Sequence, residues 1–401
     1  MYKRILIHDY PGHSFPVQLS RELSWRGYQI LHLYAGYNVT PRGELLRKKN
    51  DSDNFLVKPI FIREPLKKYS FVKRWLQERE YGHLLAIEIQ QFCPDVIISS
   101  QTPLDAQVKV QKIAKEADAK FIFWLQDVIG LATQRFLQKK ISIVGAMIGT
   151  YYIHLERKLL RNSDHVVLIT DDFQPLMSQW GITANKTTVI PNWAPIDTLP
   201  VIEKGNSWAR QNKLVNKFCF MYTGTLGMKH NPDLLLQLAL HFRGNTDVRV
   251  VVISEGPGAN WLQEKKIEHN LENLLLLPYQ PFEQLPQVMA AADVLVALLE
   301  PDAGVFSVPS KVLTYLCAQR PLLLAVPLEN LAAKIVADNE AGYVLLPGDA
   351  DGFLERADQL MQDTDLRGRL ARNARNYAEA NFDIQKIGDQ FENIIQQLNA
   401  E

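Results

Sequence analysis

Cysteine is scarce in this chain. Cys93, Cys219 and Cys317 are the only three in 401 residues, and none stands at metal-ligand spacing from another. Each lies in an apolar run, which excludes a disulfide-stapled scaffold and points to a reduced, cytosolic compartment. An excess of one charge is also missing, since 44 Lys and Arg balance 44 Asp and Glu. No bulk field therefore draws the chain to nucleic acid. No apolar run reaches the roughly 18–20 residues that a spanning helix needs. The opening MYKRILIHDY reads as a strand rather than a leader peptide. A G-x-G-x-x-G following a strand is absent, which disfavours a dinucleotide-dependent dehydrogenase. No His/Asp/Glu cluster has ligand spacing, so neither a metal nor another cofactor is expected.

What the chain does have is alternation. Its length predicts two domains. In the first half, apolar runs of strand length at 4–8, 30–34, 95–99, 121–125 and 165–169 alternate with helical patterns at 15–26, 75–92, 105–117 and 145–162. Residues 38–73 read as irregular and basic. In the second half, runs at 218–222, 249–253, 274–277, 294–298, 322–326 and 343–345 repeat the theme, and helices near 351–361, 366–380 and 384–398 close it. Such alternation predicts parallel sheets covered by helices. The expected fold is α/β, two Rossmann-like doubly wound domains facing each other across a cleft. The polar stretch 196–217 reads as a linker between a domain at 1–195 and another at 218–380. Ligands are expected outside the carboxyl ends of the strands.

The stretch ADVLVALLEPDAGVFSVPSKVLTYLCAQRPLLLAV, starting at Ala292, organises the second half. It reads as strand, loop, helix start, helix and strand. A helix N-terminus aimed out of a parallel sheet offers free N–H groups and a dipole to an anion. Ser310 and Lys311 add a hydroxyl and a positive charge there. This is the expected seat of a diphosphate. Lys229, after the Gly224-Thr225-Leu226-Gly227 turn, is a second cation in reach of phosphate. Each has a plainer reading: Lys229 and Lys311 as solvated lysines, Ser310 as the cap of its own helix.

Several blocks taken together resemble retaining GT-B glycosyltransferases of the GT4 type. His165-Val166-Val167-Leu168-Ile169-Thr170 with Gly181 and Val189-Ile190-Pro191-Asn192-Trp193 resembles the approach to the interdomain linker. Tyr222-Thr223-Gly224-Thr225-Leu226-Gly227-Met228-Lys229 resembles the first loop of the donor domain. Ser254-Glu255-Gly256-Pro257-Gly258, Leu285-Pro286 and Ala291-Ala292-Asp293-Val294 resemble later landmarks. Val308-Pro309-Ser310-Lys311 through Arg320-Pro321 resembles the nucleotide-sugar motif of the subgroup acting in polysaccharide and O-antigen assembly, including colanic-acid-type and N-acetylfucosaminyl transferases.

The resemblance implies a donor site that includes Gly224, Thr225, Lys229, Glu255, Tyr279, Gln280, Ser310, Lys311 and Thr314. Tyr279 and Gln280 fall where the family meets the base. It also implies that 381–401 is a C-terminal helix packing back toward the first domain. One departure stands out. The family carries two glutamates eight positions apart; counting back from Pro321, Thr314 takes the place of the second and Phe306 that of the first. The second glutamate accepts bonds from the ribose hydroxyls, and threonine does so without charge. Glu300 and Asp302 lie in the loop at another spacing.

The first domain is expected to hold the acceptor. Asp127, just past a strand end, is placed to orient or deprotonate an acceptor hydroxyl, and equally reads as a helix N-cap. His13 follows the first loop, which also holds His8 and Asp9, and reads as catalytic or structural. His154 reads as packing or capping. Residues 141–153 form an apolar stretch flanked by Lys139-Lys140 and Arg157-Lys158. That suits a helix lying on an anionic membrane, with the basic 42–74 segment beside it, or an ordinary buried helix.

The resulting expectation is a cytoplasmic glycosyltransferase, peripheral on the inner face of the membrane. It would move a hexosyl or N-acetylhexosaminyl group from a UDP-sugar to a hydroxyl of a glycan or lipid-linked saccharide, with retention by resemblance. A sugar-nucleotide 2-epimerase of the same architecture would want paired acid and base residues, and no convincing set stands out. A two-lobed sugar-binding protein would imply export.

Overall fold

The structure, a computed structural model, describes residues 3–37, 44–67, 70–140, 142–227, 230–299 and 310–400. The chain divides into two compact units, Met1–Asn192 with Ile384–Glu401, and Trp193–Asp383.

The first unit is built on seven parallel strands: β1 Arg4–Asp9, β2 Gln29–Ala35, β3 Phe55–Ile60, β4 Val96–Ser100, β5 Lys120–Leu125, β6 His165–Leu168 and β7 Thr187–Val189. Their order is β3-β2-β1-β4-β5-β6-β7. Strands such as RILIHD and VIISS are buried on both faces, as helix-covered parallel strands must be. The order reverses at β1, which pairs with β2 on one side and β4 on the other.

Two elements depart from the sequence reading. The segment 38–73, expected to be irregular, contains β3. Its sequence FLVKPI is interrupted by Lys58 and Pro59, but β3 is an edge strand, where a missing N–H and a solvated charge are tolerated. Lys58 reaches out to Glu88, 2.6 Å away. A helix not foreseen, Ile129–Lys140, precedes the helix Ser142–Arg161.

The helix Ile384–Ala400 belongs to this unit. Phe391 packs on Trp124, ring centroids 4.9 Å apart. Arg26 donates to Asp389 at 2.7 Å and to Glu392 at 2.8 Å. Gly388 makes room for the Arg26 guanidinium, which would lie 2.8 Å from a Cβ added there.

The second unit has six parallel strands: β8 Phe218–Thr223, β9 Val248–Ile253, β10 Leu274–Leu277, β11 Val294–Leu298, β12 Leu322–Ala325 and β13 Gly342–Leu345. Their order is β10-β9-β8-β11-β12-β13, so the reversal falls at β8. Phe220, Tyr222, Val250, Val252, Val296 and Leu323 form its core with Phe353 and Leu360 from the helix Ala350–Gln362.

The stretch 196–217, expected to be a linker, is folded into this unit. The side chain of Asn206 caps the short helix Ser207–Gln211, Trp208 is buried, and Lys204 pairs with Asp293. Its polar composition reflects caps and ion pairs rather than a solvated connection.

Candidate functional site

In doubly wound sheets, ligands gather outside the carboxyl ends of the strands, where the strand order reverses. In the second unit that place lies between β8 and β11. Gly224 follows β8 with φ +101, a conformation that favours glycine, and its N–H is held by the Ile253 carbonyl at 3.0 Å. Across from it the helix Ser310–Cys317 begins. The Tyr315 hydroxyl fixes this helix to the end of β8, accepting from the Thr223 N–H at 2.8 Å and donating to the Thr223 carbonyl at 3.3 Å.

Ser310 is exposed and Thr314 half-buried on this helix. Lys311 as a residue is half-buried, but its Nζ is shut off from solvent and, among the described residues, has no hydrogen-bond partner. The ammonium position lies 3.6 Å from the centroid of the Tyr222 ring. A Cβ on Gly224 would stand 3.5 Å from Nζ, so glycine leaves the approach to the amine open. Burial pushes this amine down to about 7.

The neighbouring loops close on the same end of the sheet. Thr225 is exposed; its carbonyl accepts from the Tyr222 hydroxyl at 2.7 Å, and its Oγ1 accepts from the Tyr279 hydroxyl at 3.2 Å. The Tyr279 N–H points to the Glu255 carboxylate at 3.4 Å. Gly258 donates to the Leu226 carbonyl at 3.0 Å, where a Cβ would collide with that oxygen at 2.6 Å. The Gln280 side chain is already engaged, accepting from the Trp208 indole at 3.0 Å and donating to the Pro278 carbonyl at 2.8 Å. A base at this position would meet the Gln280 backbone rather than its amide. Lys229, Glu300, Asp302, Phe306 and Pro309 lie outside the described residues.

In the first unit the reversal lies between β1 and β4. His8 and Asp9 end β1 and are fully buried. His8 is bonded through Nδ1 to Thr102 and through Nε2 to Tyr81, both at 2.7 Å, and burial pushes its imidazole down to about 3. It is a neutral structural group. Asp9 accepts from the His13 N–H at 2.5 Å, with the His13 Nδ1 3.5 Å from its other oxygen. Burial works to raise the Asp9 carboxyl, yet the charge and bonds of His13 hold it below its usual range. Burial likewise works to lower His13, and Asp9 together with Asp127 outweighs it, so this imidazole titrates above its ordinary value.

Asp127 is half-buried and lines a cavity of about 130 Å³ with Gln101, Thr102, Phe123, Trp124, Gln126 and Ile129. The helix that follows is capped from elsewhere: Glu156 accepts from the Ile129 N–H at 2.9 Å and the Gly130 N–H at 2.8 Å. Glu156 was not singled out from the sequence. It is the one acidic residue between 129 and 161, and only the packing of two helices brings it to the site. His154 bonds to the Thr150 carbonyl of its own helix at 2.8 Å.

The helix Ser142–Arg161 presents an uncovered stripe. Val144, Met147 and Tyr151 are 55%, 69% and 57% exposed, at spacings of three and four that keep them on one face. His154 and Lys158 continue the stripe and are exposed. Among the described residues, no helix is long and apolar enough to cross a membrane, and no group of three or more His, Cys, Asp or Glu is placed to hold a metal ion.

Comparison with known proteins adds to this geometry. Residues 206–377 match the family model described as glycosyl transferases group 1, and residues 54–193 match that of the glycosyl transferase 4-like domain. WcaI of Escherichia coli (strain K12), named as a "Putative colanic acid biosynthesis glycosyl transferase", is 23% identical over 228 residues, 54% of each chain. WbjE of Pseudomonas aeruginosa, named as a probable glycosyltransferase, is 22% identical over 222 residues, 54% of this chain and 55% of that one. The chain thus spans about half the length of the curated relatives it matches. Among solved structures, Anabaena Alr3699/HepE in complex with UDP-glucose has a TM-score of 0.71 at 16% identity, covering 98% of this chain and 99% of that one. WaaG, a glycosyltransferase involved in lipopolysaccharide biosynthesis, has a TM-score of 0.68 at 13% identity, covering 98% and 99%.

Proposed function

We propose that this chain, made of a glycosyl transferase 4-like domain and a group 1 glycosyl transferase domain on a GT-B fold, moves a sugar from a UDP-sugar to a hydroxyl of a glycan or lipid-linked saccharide. The observation that carries the reading is Lys311: an enclosed amine without a hydrogen-bond partner among the described residues, on the first turn of a helix, beside a glycine at the strand reversal. An amine so placed, at a helix start, suits an anion.

In this reading the diphosphate lies against Gly224 and the start of the helix, with Ser310, Lys311 and Lys229 neutralising the charge that develops as it leaves. Basic side chains and the helix terminus take the part that a divalent ion plays elsewhere. Thr225, Glu255, Tyr279 and the Gln280 backbone face the nucleoside, and Thr314 the ribose. Asp127, beside the cavity and coupled to His13, orients the acceptor hydroxyl. Retention at the anomeric carbon, a hexosyl or N-acetylhexosaminyl donor and a role in polysaccharide assembly at the cell envelope follow from resemblance to the family. The similarity to WcaI supports the last of these.

We also place the protein in the cytoplasm, peripheral on the inner membrane face. The stripe Val144, Met147 and Tyr151 supports this, lying in a stretch where six Lys and Arg between 129 and 161 face a single, buried acid. A thermal-shift screen of nucleotides tests the donor assignment, because a ligand bound only by the folded state raises its melting temperature. UDP is expected to raise it while uridine alone does so much less. No rise with any nucleoside diphosphate overturns the assignment.

A further inference from the structure

The Lys311 amine is placed where a charge is hard to keep. Among the described residues its Nζ has no hydrogen-bond partner, and no ion pair reaches it. Among the described residues, the titratable groups at this end of the sheet are phenols and one carboxylate, each already engaged. Tyr222 offers its ring face, with its hydroxyl bonded to the Thr225 carbonyl. The Tyr315 hydroxyl is bound to Thr223, that of Tyr279 to Thr225, and the Glu255 carboxylate meets the Tyr279 N–H. A ring face offsets part of the cost of an enclosed cation, but it does not replace a counter-ion. The neutral amine escapes that cost.

We propose that Lys311 is a neutral amine in the nucleotide-free protein and takes up a proton as a nucleoside diphosphate binds, which makes it the residue that selects for phosphate charge. The inference rests on the diphosphate site described above. One proton passes from the buffer acid to Nζ: an N–H bond forms on the amine as the acid's bond to that proton breaks, and the protein's other covalent bonds are unchanged. The incoming diphosphate supplies the counter-charge, and the ammonium donates to it in a region with little competing water. The opposite order, a permanent ammonium waiting for its anion, would leave an uncompensated charge in the free protein. Burial, with no opposing partner, brings the amine to about 7. At pH 8 the free protein is then mostly deprotonated at this position.

The test is calorimetric titration of the whole chain with UDP at pH 8, in buffers of differing ionisation heat. The second ionisation of a terminal phosphate, near pH 6, is complete there. The heat should vary with the buffer by an amount equal to uptake of about one proton, and uridine should produce no such uptake. Lys311→Arg carries a charge that cannot be lost. It should bind UDP without uptake, and its affinity should stay flat between pH 8 and 9, where the wild type weakens about tenfold. Binding of UDP by the wild type without proton uptake overturns the inference and leaves the diphosphate site standing. Absence of UDP binding overturns the site itself, and the inference with it. The buffer series on the wild type decides the matter even where a variant fails to fold.

Discussion

Glu156 stands where a side chain on Gly130 would have to go. Its Oε2 accepts from the Gly130 N–H at 2.8 Å and would lie 2.9 Å from a Cβ added to that glycine. The Glu156 carboxyl takes the first two amides of the helix Ile129–Lys140, next to Asp127 and Ile129, which line the cavity.

Removing this cap should cost stability. Glu156→Ala leaves two enclosed amides without acceptors, at about 1–3 kcal/mol each. The pH dependence has a definite sign. Burial raises the Glu156 carboxyl to about 8, against the bonds from Gly130 and Ile129. The folded state therefore holds a proton that the unfolded state has lost, and stability falls as pH rises from the ordinary carboxyl range to that value. Denaturant melts should show the wild type losing ground to Glu156→Gln from pH 5 to pH 8, by at most about 1.4 kcal/mol per unit. A constant difference would mean that Glu156 is ionised throughout.

Lys311→Ala and Lys229→Ala should each weaken UDP binding by roughly 1.5–3 kcal/mol, the scale of a bond to a charged group. Unchanged affinity in both variants would remove the diphosphate from this place.

Stability should report on Lys311 as well. Its folded value, lowered by burial to about 7, lies below the ordinary 10.5. Between those values the unfolded chain holds the extra proton, so stability attributable to this residue rises with pH across the window. Compared with Lys311→Met, the wild type should gain melting temperature from pH 7 toward pH 10. A parallel pair of curves would contradict the lowered amine.

At Thr314 a glutamate should supply the charged ribose acceptor that the family carries. Repulsion by the diphosphate opposes this, and so does the space around a half-buried threonine. The expected gain for UMP is below about 1.5 kcal/mol. It should vanish for 2′,3′-dideoxy-UMP; equal effects on both ligands would mean that this position does not face the ribose.

Membrane contact is open to a liposome assay. The protein should sediment with anionic vesicles and release as salt rises. Met147→Glu, or Lys139→Gln with Lys140→Gln, should weaken sedimentation and leave UDP affinity unchanged. A folded protein that stays in the supernatant at low salt would leave the stripe without this role.

Most strands of both sheets were legible because parallel strands covered on two faces carry apolar runs. Phe55–Ile60 escaped because an edge strand is held to a weaker rule, and the charge and proline it tolerates look like loop. The stretch 196–217 escaped for a related reason: Trp208 and the Lys204–Asp293 pair fasten it through partners far along the chain. The same divide runs through the site. Gly224 and the helix start at Ser310 announce themselves locally, through backbone chemistry. The ring of Tyr222 under Lys311 and the carboxylate of Glu156 at Gly130 are meetings of distant segments, and no local pattern encodes them. Asp127 is local to the start of that helix, whereas Glu156, which takes the Ile129 and Gly130 amides, comes from the next helix.

The return of Ile384–Ala400 to the first unit has a consequence for the order in which the protein forms. On a ribosome, the segment Trp193–Asp383 emerges with all six strands of its own sheet and can close its core at once. The earlier-made unit must wait, with Trp124 lacking Phe391 and Arg26 lacking Asp389 and Glu392 until Ile384–Ala400 is free of the exit tunnel. The half synthesised first is therefore the half completed last.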